Sequence, residues 1–253
     1  MLDYGMEQLH GEWFRGPLDR GPDSIAWLGA AQTFGRYVSE PFPAIVGKRL
    51  GIGTLNLGSG GKGPGYYLRH LELLEEVNRC RAAVVQVMSA KGSDNSLFRS
   101  SGGGDSGIRL DTGARTKSLA LIYGLRSQGK SMRARRVAWE SQRSFTDEMQ
   151  GLLGAIRPPK ILLWIAFREP PSGVSGYRTF FQKVSPQFVT RRVLSRIEPF
   201  ADRFVEVVST AGVPQIFRDE DGKTLRKNPY YPSPEMHRLA ADRLAPVLEE
   251  LIG

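Results

Sequence analysis

A chain of 253 residues, 40% hydrophobic and 24% charged, carries enough apolar material for one sizeable core and is neither low-complexity nor fibrous. Its single cysteine, Cys80, rules out an internal disulfide or a thiolate metal cluster; three dispersed histidines supply no ligand-spaced set, so neither a metal nor another cofactor is expected. The net charge of +9 favours anionic partners.

No apolar run approaches the roughly 20 residues that span a bilayer. The first residues lack the basic-then-apolar pattern of a secretory signal, so a cytoplasmic location is the expectation.

Residues 1–22 are polar and turn-rich, with Trp13 and Phe14, and read as an irregular arm packed on the domain. Ile25–Leu28 reads as a buried strand, and Gly29 and Gly35 bracket the turn after it. A helix follows: Pro41 and Pro43 lie near its start, Phe42, Ile45, Val46 and Leu50 are its apolar positions, and Gly51 stops it. Ile52–Leu57 is a second strand and runs into the glycine-dense loop Gly58–Gly65. Tyr67–Arg79 resumes helical spacing through Leu68, Leu71, Leu74 and Val77. Ala82–Met88 has the β-branched, continuously apolar character of a central parallel strand.

The stretch 91–110 reads as irregular, with Ser100–Gly107 as a flexible flap. Lys117–Arg126 and Arg133–Ile156 read as helices, the second carrying Phe145, Met149, Leu152, Leu153 and Ile156 on one stripe. Together, about 91–157 forms a basic helical insertion. Ile161–Ala166 is a fourth strand, and Ser185-Pro186 reads as the start of a helix bearing Val189, Val193 and Ile197. Phe204–Val208 is a fifth strand, and Ser233-Pro234 opens a terminal helix. Strands alternating with helices predict a single three-layer α/β domain over 1–253, flavodoxin-like, with a parallel five-stranded sheet.

Open sheets of this kind bind ligands at the carboxyl ends of their strands. The segments arriving there bring Gln32 and Thr33, then Gly58, Ser59, Gly60 and Lys62, then Ser89, Lys91, Asp94 and Asn95. Arg168 and Glu169 follow the fourth strand, and Asn228, Tyr231, Ser233 and His237 come last. Backbone amides of Gly58–Gly65 beside Lys62 suit a phosphate or sulfate, although the spacing is not that of a P-loop. A second anionic face is predicted between Arg115 and Arg143, where eight basic residues, Arg133, Arg135 and Arg136 among them, meet the single acid Glu140. Few aromatics interleave with those arginines, so nucleic acid is the weaker expectation for it.

The order of elements resembles the SGNH/GDSL hydrolase superfamily. There a Gly-Asp-Ser turn after the first strand holds the nucleophile, a glycine and an asparagine after the second and third strands form the oxyanion hole, and a late Asp-x-x-His completes the triad. More narrowly, Phe14-Arg-Gly-Pro17, Thr33-Phe-Gly35, Asn56-Leu-Gly58, Val84-Val-Gln-Val-Met88, Phe188-Val-Thr-Arg191 and Pro234-Glu-Met-His237 resemble an uncharacterised bacterial domain-of-unknown-function family of that shape.

The departures carry the functional expectation. Gly29-Ala30-Ala31 stands where the hydrolases have Gly-Asp-Ser, and Asn228-Pro-Tyr-Tyr231-Pro-Ser233 stands for Asp-x-x-His-Pro-Ser. By that register Ala31 replaces the nucleophile, an amide the orienting carboxylate, and a phenol the base. The oxyanion asparagine falls near Ala90, with Asn95 a few residues on, and Gly58 alone keeps its place. Triad chemistry needs a hydroxyl, a base and an orienting group. The expectation is therefore a degenerate domain without serine-esterase activity. It binds or modifies an anionic or carbohydrate-type ligand through Gln32, Gly58, Gly60, Lys62, Ser89, Asn95, Asn228 and Tyr231. The alternative is an active esterase, acyltransferase or sulfotransferase-like enzyme using Thr33, Ser59 and His237.

Overall fold

The computed structural model describes residues 2–172, 185–218 and 223–253. A hairpin of β1 (Met6–Leu9) and β2 (Glu12–Arg15) forms the amino-terminal arm. The chain continues through β3 (Ser24–Leu28), α1 (Ala31–Phe34), α2 (Phe42–Leu50), β4 (Gly53–Asn56), α3 (Pro64–Arg69), α4 (Leu71–Val77) and β5 (Ala82–Gln86). Next come β6 (Phe98–Ser100), β7 (Ser106–Arg109), β8 (Arg115–Lys117), α5 (Ser118–Ser127), α6 (Ser131–Ala155) and β9 (Lys160–Ala166). The remainder holds α7 (Arg191–Ile197), β10 (Arg203–Val208), a hairpin of β11 (Gln215–Arg218) and β12 (Thr224–Asn228), and α8 (Pro234–Ile252).

Five strands pair in parallel in the order β4-β3-β5-β9-β10. Numbered along the chain, that order is 2-1-3-4-5, the flavodoxin-like arrangement. Alternate residues point to opposite faces. Ile25, Trp27, Val84, Ile161 and Leu163 meet Phe42 and Val46 of α2 and Met236, Ala240 and Leu244 of α8. Ala26, Leu28, Val85, Leu162 and Trp164 meet Tyr67 of α3, Leu73 and Val77 of α4, Phe145 and Met149 of α6, and Leu194 of α7. The layers are thus helix, sheet, helix. Trp27 and Trp164, one on each face, are fully buried, and truncating either to alanine costs about 3–5 kcal/mol.

Several local expectations are corrected. The helix expected over 67–79 breaks at His70, which takes a non-helical φ of −113° and ψ of 76° between α3 and α4. The stretch 100–107 is not simply an irregular flap. It includes the turn between β6 and β7 in a three-stranded antiparallel sheet whose Phe98 is buried. Strands of three or four residues are too short to display a period. The segment 91–157 is also more than a helical insertion, because the second half of α6 buries Phe145, Met149, Leu152 and Leu153 and serves as the crossover from β5 to β9.

Ser185-Pro186 does not start a helix. α7 begins at Arg191, capped by Thr190, whose Oγ1 accepts from the Val193 N–H at 3.3 Å. Residues 185–187 are drawn instead to the loop after β5: the Ala90 N–H donates to the Gln187 carbonyl at 3.0 Å.

Candidate functional site

The strand order reverses between β3 and β5, and the segments leaving those two strands part there. A cavity of about 210 Å³ opens at this point. Ala30, Ala31 and Gln32 line it from the first strand's turn, Gly61, Lys62 and Gly63 from the glycine loop, and Ser89, Lys91 and Gly92 from beyond β5. Gly104 and Asp105 close one side; Ser185, Gln187, Tyr230 and Tyr231 close the other. The ligand crevice of a doubly wound sheet falls at such a switch point.

The turn after β3 is fixed by a buried amide. The Gln86 Oε1 accepts from the Ala30 N–H at 3.0 Å, the Thr33 N–H at 3.3 Å and the Thr33 hydroxyl at 2.7 Å, while its Nε2 donates to Gln32 Oε1 at 3.2 Å. Tyr67 braces the same turn: the Gly29 N–H donates to its hydroxyl at 3.0 Å, and that hydroxyl reaches the carbonyls of Gly29 at 2.7 Å and Leu57 at 2.8 Å. Burial pushes the Tyr67 pKa up, so the hydroxyl keeps its proton for one of these carbonyls. Glycine is required at position 29, where a Cβ would lie 2.2 Å from Thr33 Oγ1 and 2.5 Å from Gln86 Oε1.

From the other side, the buried Arg15 guanidinium donates to the carbonyls of Gly35 at 2.9 Å and Val38 at 3.0 Å, and also to Ser39. Burial lowers the Arg15 pKa, but arginine starts so high that the group stays cationic.

The glycine loop is tied in similarly. Asn56 Oδ1 accepts from the Gly58 N–H at 3.0 Å and its Nδ2 donates to the Thr33 carbonyl at 3.1 Å; the Ser59 N–H donates to the Gly29 carbonyl at 3.0 Å. The loop then meets the β6–β7 turn: the Gly63 N–H donates to the Gly103 carbonyl at 2.7 Å, and the Asp105 N–H to the Gly61 carbonyl at 3.1 Å. Only glycine suits position 103, with φ of +73° and a would-be Cβ 2.0 Å from the Tyr66 nitrogen. This clasp brings the Asp105 carboxylate to 3.3 Å from Lys91 Nζ. Lys62 Nζ lies 4.2 Å from the Tyr66 ring centre.

Of the residues singled out by sequence, Ala31, Gln32, Lys62, Ser89, Lys91 and Tyr231 line the cavity. The Ser89 hydroxyl donates to Gln187 Oε1 at 2.6 Å and accepts from the Gln187 N–H at 3.1 Å. Gly60 flanks the cavity, and a Cβ there would lie 3.9 Å from the Ala31 methyl. Thr33, Gly58, Ser59, Asn95, Asn228 and His237 lie outside the lining. The Thr33 hydroxyl is spent on Gln86, and the Gly58 N–H on Asn56. Asn95 shapes its own turn, accepting from the Leu97 N–H at 2.9 Å and donating to Ser141 at 3.0 Å. Asn228 Oδ1 accepts from the N–H groups of Tyr230 and Tyr231 at 3.0 and 3.2 Å; this Asx turn presents the two tyrosines to the cavity.

His237 lies in the first turn of α8, fully buried and stacked on Phe42 with ring centres 5.5 Å apart. Its Nδ1 accepts the Phe42 N–H at 3.1 Å, so the neutral ring carries its hydrogen on Nε2. Burial, with the Arg15 charge, pushes its pKa down to about 3. A ring in that tautomer offers no lone pair to a nucleophile.

Arg133, Arg135 and Arg136 are exposed on the first half of α6 and do not line the cavity; Arg136 pairs with Glu140 at 3.0 Å. Arg168 and Glu169 also stay outside the lining, and Glu169 faces Arg191 at 3.8 Å. Asp105, Gln187 and Tyr230 had no sequence signal, because distant segments carry them to the cavity; the Tyr-Tyr pair beside Asn228 was the nearest hint. Among the described residues, no group of three or more His, Cys, Asp or Glu side chains could hold a metal ion, and no helix is long and apolar enough to cross a membrane.

No curated protein matches this sequence. Among solved structures, a G-D-S-L-family protein from Desulfitobacterium hafniense is similar at 15% identity and a TM-score of 0.44, over 89% of this chain and 99% of that one. An acetyl xylan esterase from Butyrivibrio proteoclasticus is similar at 13% identity and a TM-score of 0.47, over 95% and 66% of the two chains. A family two carbohydrate esterase from Clostridium thermocellum gives 12% identity and 0.45, over 94% and 67%. The model of the family described as "Domain of unknown function (DUF6473)" matches residues 2–100 and 120–252, and the chain belongs to that family.

Proposed function

We propose that the switch-point cavity binds an anionic or carbohydrate-type ligand and does not carry out serine-esterase chemistry. The observation that carries this reading is the state of the groups an esterase would need. In the register of the hydrolases the nucleophile's position is Ala31, a methyl group at the cavity wall. The Gly58 amide that would stabilise an oxyanion already donates to Asn56, and the His237 imidazole is buried with Nδ1 occupied. Acyl transfer needs an activated hydroxyl and preorganised donors at the oxyanion, and both are committed elsewhere.

The cavity keeps the polar equipment of a binding site. Lys62 supplies a cation, Gln32 and Gln187 supply amides, Ser89 a hydroxyl, and Tyr230 and Tyr231 hydroxylated rings. Lys91 is partly neutralised by Asp105, so the lining is cationic on balance.

The test combines a fluorophosphonate serine probe with short acyl esters. No labelling and no hydrolysis are expected, while the ligand-side variant Lys62→Met lowers affinity for an anionic oligosaccharide. Stoichiometric labelling of Ser59 or Ser89, abolished by the matching alanine variant, would overturn the reading.

A further inference from the structure

Next to the cavity, across Tyr231, stands a group of arginines and aromatic rings that the cavity itself does not account for. The Arg36 guanidinium lies over two rings at once, 5.3 Å from the centre of Tyr37 and 5.4 Å from that of Tyr231. Arg226, from β12, lies 5.1 Å over the Tyr37 ring and donates to its hydroxyl at 2.8 Å. Tyr37 also packs on Tyr231 and on Phe217, each with ring centres 5.6 Å apart. Two cations are therefore fixed on one aromatic scaffold contributed by the segment after α1 and by the β11–β12 hairpin.

Arginines of this chain fall into two groups, those that face a carboxylate and those that do not. Arg49, Arg109, Arg191 and Arg203 each face a carboxylate at 2.5–3.0 Å. Arg36 and Arg226 face none among the described residues, and both are exposed. Both guanidinium groups bear on the same tyrosine, which concentrates positive potential around its ring. The site is also continuous with the cavity: a Cβ on Gly60 would be 4.0 Å from Arg36 Nη1 and 3.9 Å from the Ala31 methyl. Tyr230, which lines the cavity, is 61% exposed and offers an open ring face.

We propose that Arg36 and Arg226 form a subsite for the acidic group of a sugar unit, whose ring lies on Tyr230 while the next unit of the oligosaccharide enters the cavity. This rests on the proposed binding role of the cavity and gives its ligand a class, an oligosaccharide bearing carboxylate or sulfate groups. The guanidinium fork matches either oxyanion through paired N–H donors, which a lysine cannot reproduce. An aromatic face suits the C–H side of a sugar ring, and stacked arginines hold their geometry at low entropic cost.

The experiment is calorimetric titration of the full chain with three oligosaccharides of equal length: an oligogalacturonate, which bears carboxylates only, a carrageenan-derived oligomer, which bears sulfates only, and a neutral xylo-oligomer. The proteins are the wild type, Arg36→Gln/Arg226→Gln and Lys62→Met, with thermal unfolding confirming that each is folded. The wild type is expected to bind one acidic oligomer about tenfold tighter than the neutral one. The double variant is expected to lose that preference, to show a shallower salt dependence, and to bind the neutral oligomer as before; which acidic oligomer is preferred separates carboxylate from sulfate.

Undiminished acidic binding by the double variant, with a loss in Lys62→Met, overturns the arginine subsite and leaves the cavity's role standing. Equal wild-type affinity for acidic and neutral oligomers does the same. No binding of any oligomer by the wild type overturns both.

Discussion

The turn around Gln86 and the rim around Arg36 lie on neighbouring parts of the same sheet edge and obey opposite rules. At the turn the polar groups are largely tied to one another: one amide oxygen takes three hydrogen bonds, Tyr67 and Asn56 close the adjacent loop, and Arg15 collects carbonyls from beneath. At the rim, Lys62, Arg36 and Arg226 rest on aromatic rings without a carboxylate partner among the described residues. A satisfied polar network fixes a shape, because leaving any member unpaired costs its full desolvation. Cations without such partners are what the proposed acidic ligand would pair with. Gln86, Tyr67 and Asn56 belong to the first kind, and Lys62, Arg36 and Arg226 to the second.

The sharpest way to break that contrast is Gln86→Leu. It strands the N–H groups of Ala30 and Thr33 and the Thr33 hydroxyl in a buried site, and a loss of about 4 kcal/mol is expected in urea unfolding. A variant as stable as the parent would mean that water or rearrangement satisfies these groups, and the turn would not be the rigid partner in the comparison.

Next in size is a pH effect at His237. Its folded pKa of about 3 lies below its ordinary value of 6.5, so between those values the unfolded chain binds a proton that the folded chain refuses. Stability from this group is complete above about pH 6.5 and falls with acidification by about 1.4 kcal/mol per pH unit toward pH 3. Glu148 works the other way, since burial raises its pKa and favours the folded state as pH falls. The histidine's share is isolated by His237→Asn: unfolding free energies measured from pH 4 to 7 should lose the slope attributable to one proton. Parallel curves for the two proteins would show that His237 accepts a proton in place.

The smallest effect is expected from Arg133→Glu/Arg135→Glu/Arg136→Glu. These side chains are exposed on α6 and outside the cavity, so heparin binding should weaken at low salt with little change near physiological ionic strength, where exposed charges are screened beyond about 8 Å. A loss as large as that of Arg36→Gln/Arg226→Gln would shift the acidic-ligand face to α6.

The sheet was legible because five apolar runs and their helices each carry a local period, and the strand-end rule then located the cavity edge. Which side chains turn into that edge was not legible, since partners far along the chain decide it. Thr33 and Ser89 are both hydroxyls just beyond strand ends. Gln86 draws the first inward, while Gln187, arriving about a hundred residues later, holds the second at the cavity wall. His237 is a residue type that can act as a base, yet the Phe42 amide claims its Nδ1 lone pair, a contact 195 residues away in sequence. The β6–β7–β8 sheet escaped notice because strands of three or four mostly polar residues have no hydrophobic alternation to read.

One wall of the cavity comes from outside the core of the sheet. Gly104 and Asp105 belong to the interval 101–119 that the family match passes over, and they reach the glycine loop through main-chain hydrogen bonds rather than side-chain packing. The clasp is tight: a Cβ at Gly103 would lie 2.0 Å from the Tyr66 nitrogen and one at Gly104 2.4 Å from the Gly61 carbonyl oxygen. Asp105 projects from this border to the cavity, so a change of that one side chain alters the charge the pocket presents while the sheet and its locked turns stay as they are.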